Sequence, residues 1–222
     1  MKRFAPVVAL VIAAVVLGAV NATVFAYRWM QGTVTVEGPT AARGVACVGF
    51  YSSAAPQSGI PQTYLPEAGT NYNAPTYGDK KITVTPGQAV CQWTVDTTTY
   101  SLYEGITVSV PITVGSWYIK DFYGFGYYGT ASDPKVVYVY IKVEQPITDQ
   151  KIAYANLTLY NARTYDKVAV IDLKTGSVTR SPITLSPGDG LQLDLYINAT
   201  GTATVTFKVG FYVAYSNSEA PR

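Results

Sequence analysis

The chain has 222 residues, of which 48% are hydrophobic and 13% aromatic, and its formal net charge at pH 7 is +2. It contains no histidine, which excludes a histidine-based catalytic triad, a histidine general base and any histidine-ligated metal site. Without Lys2 and Arg3, the chain carries 14 basic and 14 acidic residues. This balance provides no attraction to nucleic acid or to anionic lipid.

The N-terminus has the pattern of a secretory signal peptide. Two basic residues precede an apolar run over residues 4–20, which has the length of a signal-peptide core and is short for a membrane span. Cleavage is favoured after Ala22 over Ala26, so residues 1–22 are predicted to be removed. The mature protein is then secreted to the cell surface and meets the membrane only in transit. The alternatives are an uncleaved anchor and the apolar helix of a type IV pilin.

The segment behind this leader reads "ATVFAYRWMQGTVTVEG" and places aromatic side chains at every second position, without a nearby turn that would return the chain to its own sheet. We predict that residues 23–36 form a donor strand, which completes the sheet of a neighbouring subunit. The residues predicted to make this subunit interface are Val24, Phe25, Tyr27, Trp29 and Met30, with the aromatic rings filling pockets and Arg28 facing away. The alternative is an ordinary first strand within its own domain.

The chain has two cysteines, Cys47 and Cys91. An exported protein with an even number of cysteines usually pairs them, so we predict one disulfide. Two buried free thiols are the alternative, since cysteine also serves as a small core residue.

Apolar and polar residues alternate with a period of two along most of the chain, which is typical of β-strands. About 200 residues follow the predicted cleavage site, enough for one large domain, here residues 37–222. Together with turn residues between the runs, the pattern predicts an all-β fold, an antiparallel β-sandwich or jelly roll with a protruding N-terminal donor strand. The predicted strands cover residues 46–50, 89–95, 106–114, 137–143, 151–159, 167–171, 191–197 and 205–213.

Two connections exceed ordinary loop length. Residues 52–80 are rich in Pro, Gly, Asn and Tyr, and residues 115–134 are rich in Gly and aromatic side chains. Long loops of this kind either cover the edges of a sandwich or form a functional surface. Exposed tyrosines in them would suit contacts between neighbouring molecules.

Catalytic chemistry has little support in the sequence. A glycosidase needs two convergent carboxylates, whereas the 14 acidic residues are scattered singly. Asp189 and Asp194 are five positions apart and so face opposite sides of an extended strand, and Asp189 in "SPGDG" is interpreted as a turn residue. We therefore expect no enzyme, no cofactor and no metal.

Two glycosylation sequons follow the leader, at Asn156 and Asn198. The alternation in "KIAYANLTLY" points Asn156 outward, and Asn198 is expected in the turn "NATG". Both are possible N-glycosylation sites.

The leader followed at once by "ATVFAYRWMQGTVTVEG", with "GDGLQLDLYI" as a less specific feature, resembles the TasA and camelysin family of biofilm-matrix fibre proteins and, more closely, the related archaeal bundling pilins. The resemblance implies a jelly-roll subunit with an N-terminal donor strand, a cleaved signal peptide and fibres that associate laterally. The cysteine pair and the insertion at residues 52–80 depart from the bacterial pattern.

The sequence thus predicts a secreted, non-enzymatic fibre subunit, a pilus or biofilm-matrix protein that polymerises head to tail with copies of itself and carries possible glycans. The alternative is a cell-surface binding module that holds polysaccharide on its aromatic loops.

Overall fold

A computed structural model describes residues 26–31, 47–77, 79–129, 136–205 and 207–218. The regular structure in these ranges is β-strand throughout, which confirms the predicted all-β class. Within the same ranges, no helix has the length and apolar character needed to cross a membrane.

The first of two large sheets has six strands. In spatial order they are β14 (Ile183–Leu185), β11 (Val137–Gln145), β17 (Lys208–Ala214), β1 (Ala26–Gln31), β8 (Gly105–Ser109) and β5 (Thr83–Pro86). Neighbours pair antiparallel, apart from β1 and β8, which pair parallel.

The second large sheet has seven antiparallel strands. In spatial order they are β13 (Lys167–Asp172), β12 (Ile152–Asn161), β15 (Gly190–Ala199), β10 (Gly115–Tyr127), β2 (Val48–Tyr51), β7 (Thr98–Tyr103) and β6 (Ala89–Val95). Two short pairs complete the fold, β9 (Pro111–Ile112) with β16 (Ala203–Thr204), and β3 (Pro75–Tyr77) with β4 (Lys80–Lys81).

The two large sheets pack face to face around one hydrophobic core. Phe211 of β17 lies 5.2 Å from Phe50 of β2 and 4.9 Å from Phe125 of β10, measured between ring centroids. All three side chains are fully buried. Because Phe211 belongs to the six-stranded sheet and its two partners to the seven-stranded one, these contacts join the layers of a β-sandwich.

The aromatic, glycine-rich segment expected to be a long connection is mostly a strand. Residues 115–127 form β10, at the centre of the seven-stranded sheet. Its glycines are required by packing, since a Cβ at Gly124 would lie 2.7 Å from the Cβ of Ala68, and one at Gly126 would lie 2.8 Å from the ring of Tyr51. The interpretation of this segment as a loop was therefore wrong.

The insertion at residues 52–80 covers the seven-stranded sheet on the side away from the main core. Ile60, Leu65 and Ala68 are fully buried against Tyr51. The Tyr51 hydroxyl donates a hydrogen bond to the carbonyl of Pro66, at 2.6 Å. The described part of this segment therefore covers one face of the sandwich.

Candidate functional site

The predicted donor strand lies in the sheet of its own chain in this structure. Strand β1 pairs with six residues of β17 and three of β8, so the described part of it does not protrude as the sequence predicted. Val24 and Phe25 lie outside the described residues, whereas Tyr27, Trp29 and Met30 belong to β1.

Strand β1 fills a position that the rest of its sheet does not close. Its neighbours β17 and β8 each pair with β1 and not with one another. Without β1, the six-stranded sheet would separate into one piece of three strands and one of two, each with an unpaired edge. We call this position the β1 slot. The slot opens onto the main core, because Val209 and Phe211 of β17 and Ile106 of β8 are fully buried there.

The register of β1 alternates between two kinds of partner. Arg28 pairs with Phe211, and Met30 pairs with Val209; Phe211 and Val209 are both core residues. Tyr27 pairs with Tyr212 and Trp29 with Gly210. If Tyr27 and Trp29 filled core pockets as predicted, they would pair with the core residues of β17. The observed register differs from that arrangement by one residue.

The predicted disulfide is present. The Cys47 and Cys91 Cα atoms lie 5.5 Å apart, within the usual range for a disulfide. The bond joins the residue before β2 to β6, the outermost strand of the seven-stranded sheet. Beside it lies an aromatic cluster of Tyr64, Trp93, Tyr100 and Tyr128.

The structure places the two sequons differently from the sequence prediction. Asn156 is on the outward side of β12, as predicted, but only 8% of it is exposed and its amide donates a hydrogen bond to the Tyr154 hydroxyl. Asn198 lies within β15 rather than in a turn, and its amide nitrogen is 2.9 Å from the Ser116 hydroxyl. Burial of Asn156 disfavours its modification in the folded chain.

A cleft lies on the outer face of the seven-stranded sheet, where β10, β12 and β15 are adjacent. It consists of two adjoining hollows of about 440 and 380 Å³. Lys120, Tyr165 and Gln192 border both hollows. We call the combined surface the tyrosine cleft, lined by Glu67, Thr70, Asn71, Tyr118, Lys120, Asp121, Tyr160, Tyr165, Gln192 and Asp194.

Asp194 is the centre of the polar network at the floor of the tyrosine cleft. Only 1% of this residue is exposed. Its carboxylate accepts hydrogen bonds from the backbone nitrogen of Asp121 at 2.8 Å, from the Gln192 amide at 2.7 Å and from the Tyr118 hydroxyl. A buried carboxylate needs such partners, since an unpaired one is very costly.

Asp121 occupies a β-bulge in β10. The pairing of β10 with β15 shifts between Ile119 and Tyr123, and Asp121 has a left-handed backbone with φ of 51°. The bulge turns the Asp121 backbone nitrogen toward Asp194, while its carboxylate accepts hydrogen bonds from the backbone nitrogen of Gly69 at 2.6 Å and the hydroxyl of Thr70 at 2.6 Å. Asp121 thereby ties the insertion to the sheet.

Both ionisable groups beside Asp194 have shifted pKa values. Burial raises the pKa of Asp121, and the nearby Asp194 charge adds to the effect, although hydrogen bonds from Thr70 and Gly69 oppose it. Burial also raises the pKa of the Tyr118 phenol, as does its hydrogen bond to Asp194. Tyr118 therefore keeps its proton at physiological pH and acts as a hydrogen-bond donor.

The sequence interpretation missed this site. It treated the acidic residues as scattered, but Asp121 and Asp194 converge although 73 positions separate them. The interpretation of Asp189 as a turn residue was correct, since its carboxylate accepts a hydrogen bond from the Ser186 nitrogen within the turn, at 2.7 Å. In the described ranges, no cluster of three or more His, Cys, Asp or Glu side chains could hold a metal ion.

The fold and these surfaces define a disulfide-linked all-β sandwich. No protein-family model matches the chain, and a search of curated proteins finds no match.

Proposed function

We propose that this protein is a secreted, non-enzymatic fibre subunit that polymerises by donation of its N-terminal strand to a neighbouring subunit. The observation that carries the proposal is the β1 slot, a gap in a six-stranded sheet that only the N-terminal strand fills in the described structure. Here the N-terminal strand of the chain completes its own sheet. The N-terminal strand of another copy can take the same place with the same backbone pairing.

The energy of strand insertion favours a durable joint. Strand β1 has pairing partners on both sides, and each main-chain hydrogen bond contributes about 0.5–1.5 kcal/mol net. An empty slot would expose two unpaired strand edges, which are prone to aggregation.

The chain between β1 and β2 is long enough for exchange. The 16 residues 32–47 join β1 to β2, and at about 3.3–3.6 Å per residue a chain of this length reaches up to roughly 55 Å. Exchange between copies preserves the contacts of the slot and forms a head-to-tail contact, which continues into a filament unless the ring closes.

Deletion of residues 23–31 from the mature protein tests the proposal. The truncated protein should form no fibres, because it has a slot but no strand to donate, and it should aggregate irregularly through the open edges of β17 and β8. A synthetic peptide of residues 23–31 should fill the slot and keep the truncated protein monomeric. Negative-stain microscopy and size-exclusion chromatography report both outcomes.

A peptide of the same composition in scrambled order is the matched control and should not rescue the truncated protein. Normal fibres from the truncated protein would contradict donor-strand assembly. A full-length protein that stays monomeric under all mild conditions would instead favour a binding module.

A further inference from the structure

We propose that the tyrosine cleft is a binding site for an uncharged oligosaccharide. The site is independent of whether the chain polymerises, because its lining residues lie on the seven-stranded sheet, on the hairpin between β12 and β13 and on the insertion, whereas the β1 slot belongs to the six-stranded sheet. Each hollow has a volume within the range of about 300–1,000 Å³ typical of small-molecule sites.

Two tyrosines expose their rings at the cleft. Tyr118 is 57% exposed and Tyr165 is 61% exposed, and Tyr160 lies in the same wall. An exposed phenol ring offers a flat apolar surface with a polar tip. The C–H face of a sugar ring is a suitable partner for such a surface, while its hydroxyls reach polar groups beside it.

The floor of the cleft is polar and fixed in position. Gln192 is 4% exposed and is oriented by its hydrogen bond to Asp194, which also accepts the hydrogen bond of the Tyr118 hydroxyl. Asn71 is held in the adjoining hollow by a hydrogen bond of 3.0 Å from its amide to the Lys120 carbonyl. A few polar groups fixed within a concave surface are what orients a ligand.

Backbone strain is concentrated at this surface. Among the described residues, three amino acids other than glycine have positive φ, and two of them, Asp121 and Tyr165, line the cleft. A bulky residue in this conformation is costly and persists where the surroundings hold it. The hairpin between β12 and β13 holds Tyr165, whose nitrogen donates to the Asn161 carbonyl at 2.8 Å. The exposed ring gains little from burial, so presentation to a ligand explains why tyrosine occupies this position.

The lining selects the class of ligand. Glu67, Asp121 and Asp194 place three acidic groups against one basic group, Lys120, which disfavours an anion. An apolar ligand would remove the polar floor from water without replacing its hydrogen bonds. An uncharged sugar supplies both donors and acceptors, and the two adjoining hollows suit a short chain of sugar rings rather than one.

The test is titration of the mature protein with glucose-, mannose- and N-acetylglucosamine-based tetrasaccharides, followed by calorimetry and by NMR saturation transfer. At least one should bind. Tyr165→Gly should weaken that binding at least tenfold while leaving the thermal unfolding midpoint equal or higher, because glycine adopts positive φ without strain. Tyr118→Ala should weaken binding to a similar degree.

Tyr154→Ala is the matched control, since Tyr154 is 45% exposed on the same face but does not line the cleft. It should leave binding unchanged. Binding of none of the three tetrasaccharides would overturn the proposal, as would undiminished binding by Tyr165→Gly. Loss of contacts between fibres in Tyr165→Gly, without sugar binding by the unmodified protein, would identify the cleft as a protein-contact surface and also overturn it.

Discussion

Asp121 combines two unfavourable features in one residue. Its backbone is left-handed, and the residue is only 9% exposed. The hydrogen bonds from Gly69 and Thr70 compensate in part, yet its pKa remains raised. The residue thus connects the insertion to β10 at a free-energy cost that depends on pH.

The pH dependence of stability should reveal this cost. A raised folded-state pKa means that the stability contributed by Asp121 is greatest below its unfolded pKa of about 3.9 and falls as pH rises through the folded value. We expect the stability of the wild type relative to Asp121→Asn to decrease from pH 3 toward pH 7. Urea unfolding of both proteins across this range measures the difference, and a difference that stays constant would contradict the assignment.

Asp172 provides the control with the opposite sign. Burial acts to raise the pKa of Asp172, but hydrogen bonds from the Thr175 and Lys174 backbone outweigh it, so the pKa is lowered. Its stabilisation is present above the unfolded pKa and is lost as pH falls through the folded value. The stability of the wild type relative to Asp172→Asn should therefore increase with rising pH.

The sequence carried limited information at the scale of single residues. The disulfide could be predicted because two cysteines allow only one pairing. The turn at Asp189 could be predicted because it depends only on neighbouring residues in the sequence. The proximity of Asp121 and Asp194 could not be predicted from the sequence, because it depends on a β-bulge and on the order of strands in a sheet. The charged residues within "WYIKDFYGF" were the local indication of an irregular strand.

At the scale of elements, the disulfide secures the edge of the seven-stranded sheet. Among the described strands, β6 lies at one edge of this sheet and pairs only with β7. Cys47–Cys91 connects it to the residue before β2 across 44 positions of sequence. A link that closes a long loop restricts the unfolded chain, and here it joins β6, which contributes Trp93 to the aromatic cluster, to the start of β2.

Removal of this bond should destabilise the fold by about 2–4 kcal/mol. The double variant Cys47→Ala and Cys91→Ala is expected to unfold at a lower urea concentration, with faster hydrogen exchange in β6 and β7 than in β12 and β15. Dithiothreitol should produce the same change in the wild type and none in the double variant. The intact, unreduced protein should react with no thiol reagent; ready alkylation would contradict the bond in solution.

The strands were predictable where their alternation is uninterrupted. Strands β11, β12, β13 and β15 lie close to their predicted bounds because apolar residues recur at every second position along each of them. The predicted strand at residues 106–114 is divided into β8 and β9, since Pro111 lacks the nitrogen donor that a continuous ladder needs. Strand β10 was missed because two packing glycines and a bulge interrupt its pattern.

At the scale of the whole molecule, the position of β1 is the feature on which the proposed function rests. The sequence predicted that this segment is a strand but did not predict its neighbours, because strand order depends on contacts between distant segments. The described structure shows β1 between β17 and β8 of its own chain. Insertion of β1 from a neighbouring copy would use the same slot, so the two arrangements differ only in connectivity.

A covalent cross-link distinguishes these two connectivities. Gln31 of β1 pairs with Lys208 of β17, so the double variant Gln31→Cys and Lys208→Cys places two thiols on adjacent strands. In oxidised fibres, donor exchange should give a ladder of multimers on a denaturing gel, which collapses to monomer on reduction, because each bond joins two chains. Each single variant should give no ladder. Fibres in which the oxidised double variant runs as a cross-linked monomer would show that β1 stays in its own slot, and polymerisation would then need another surface.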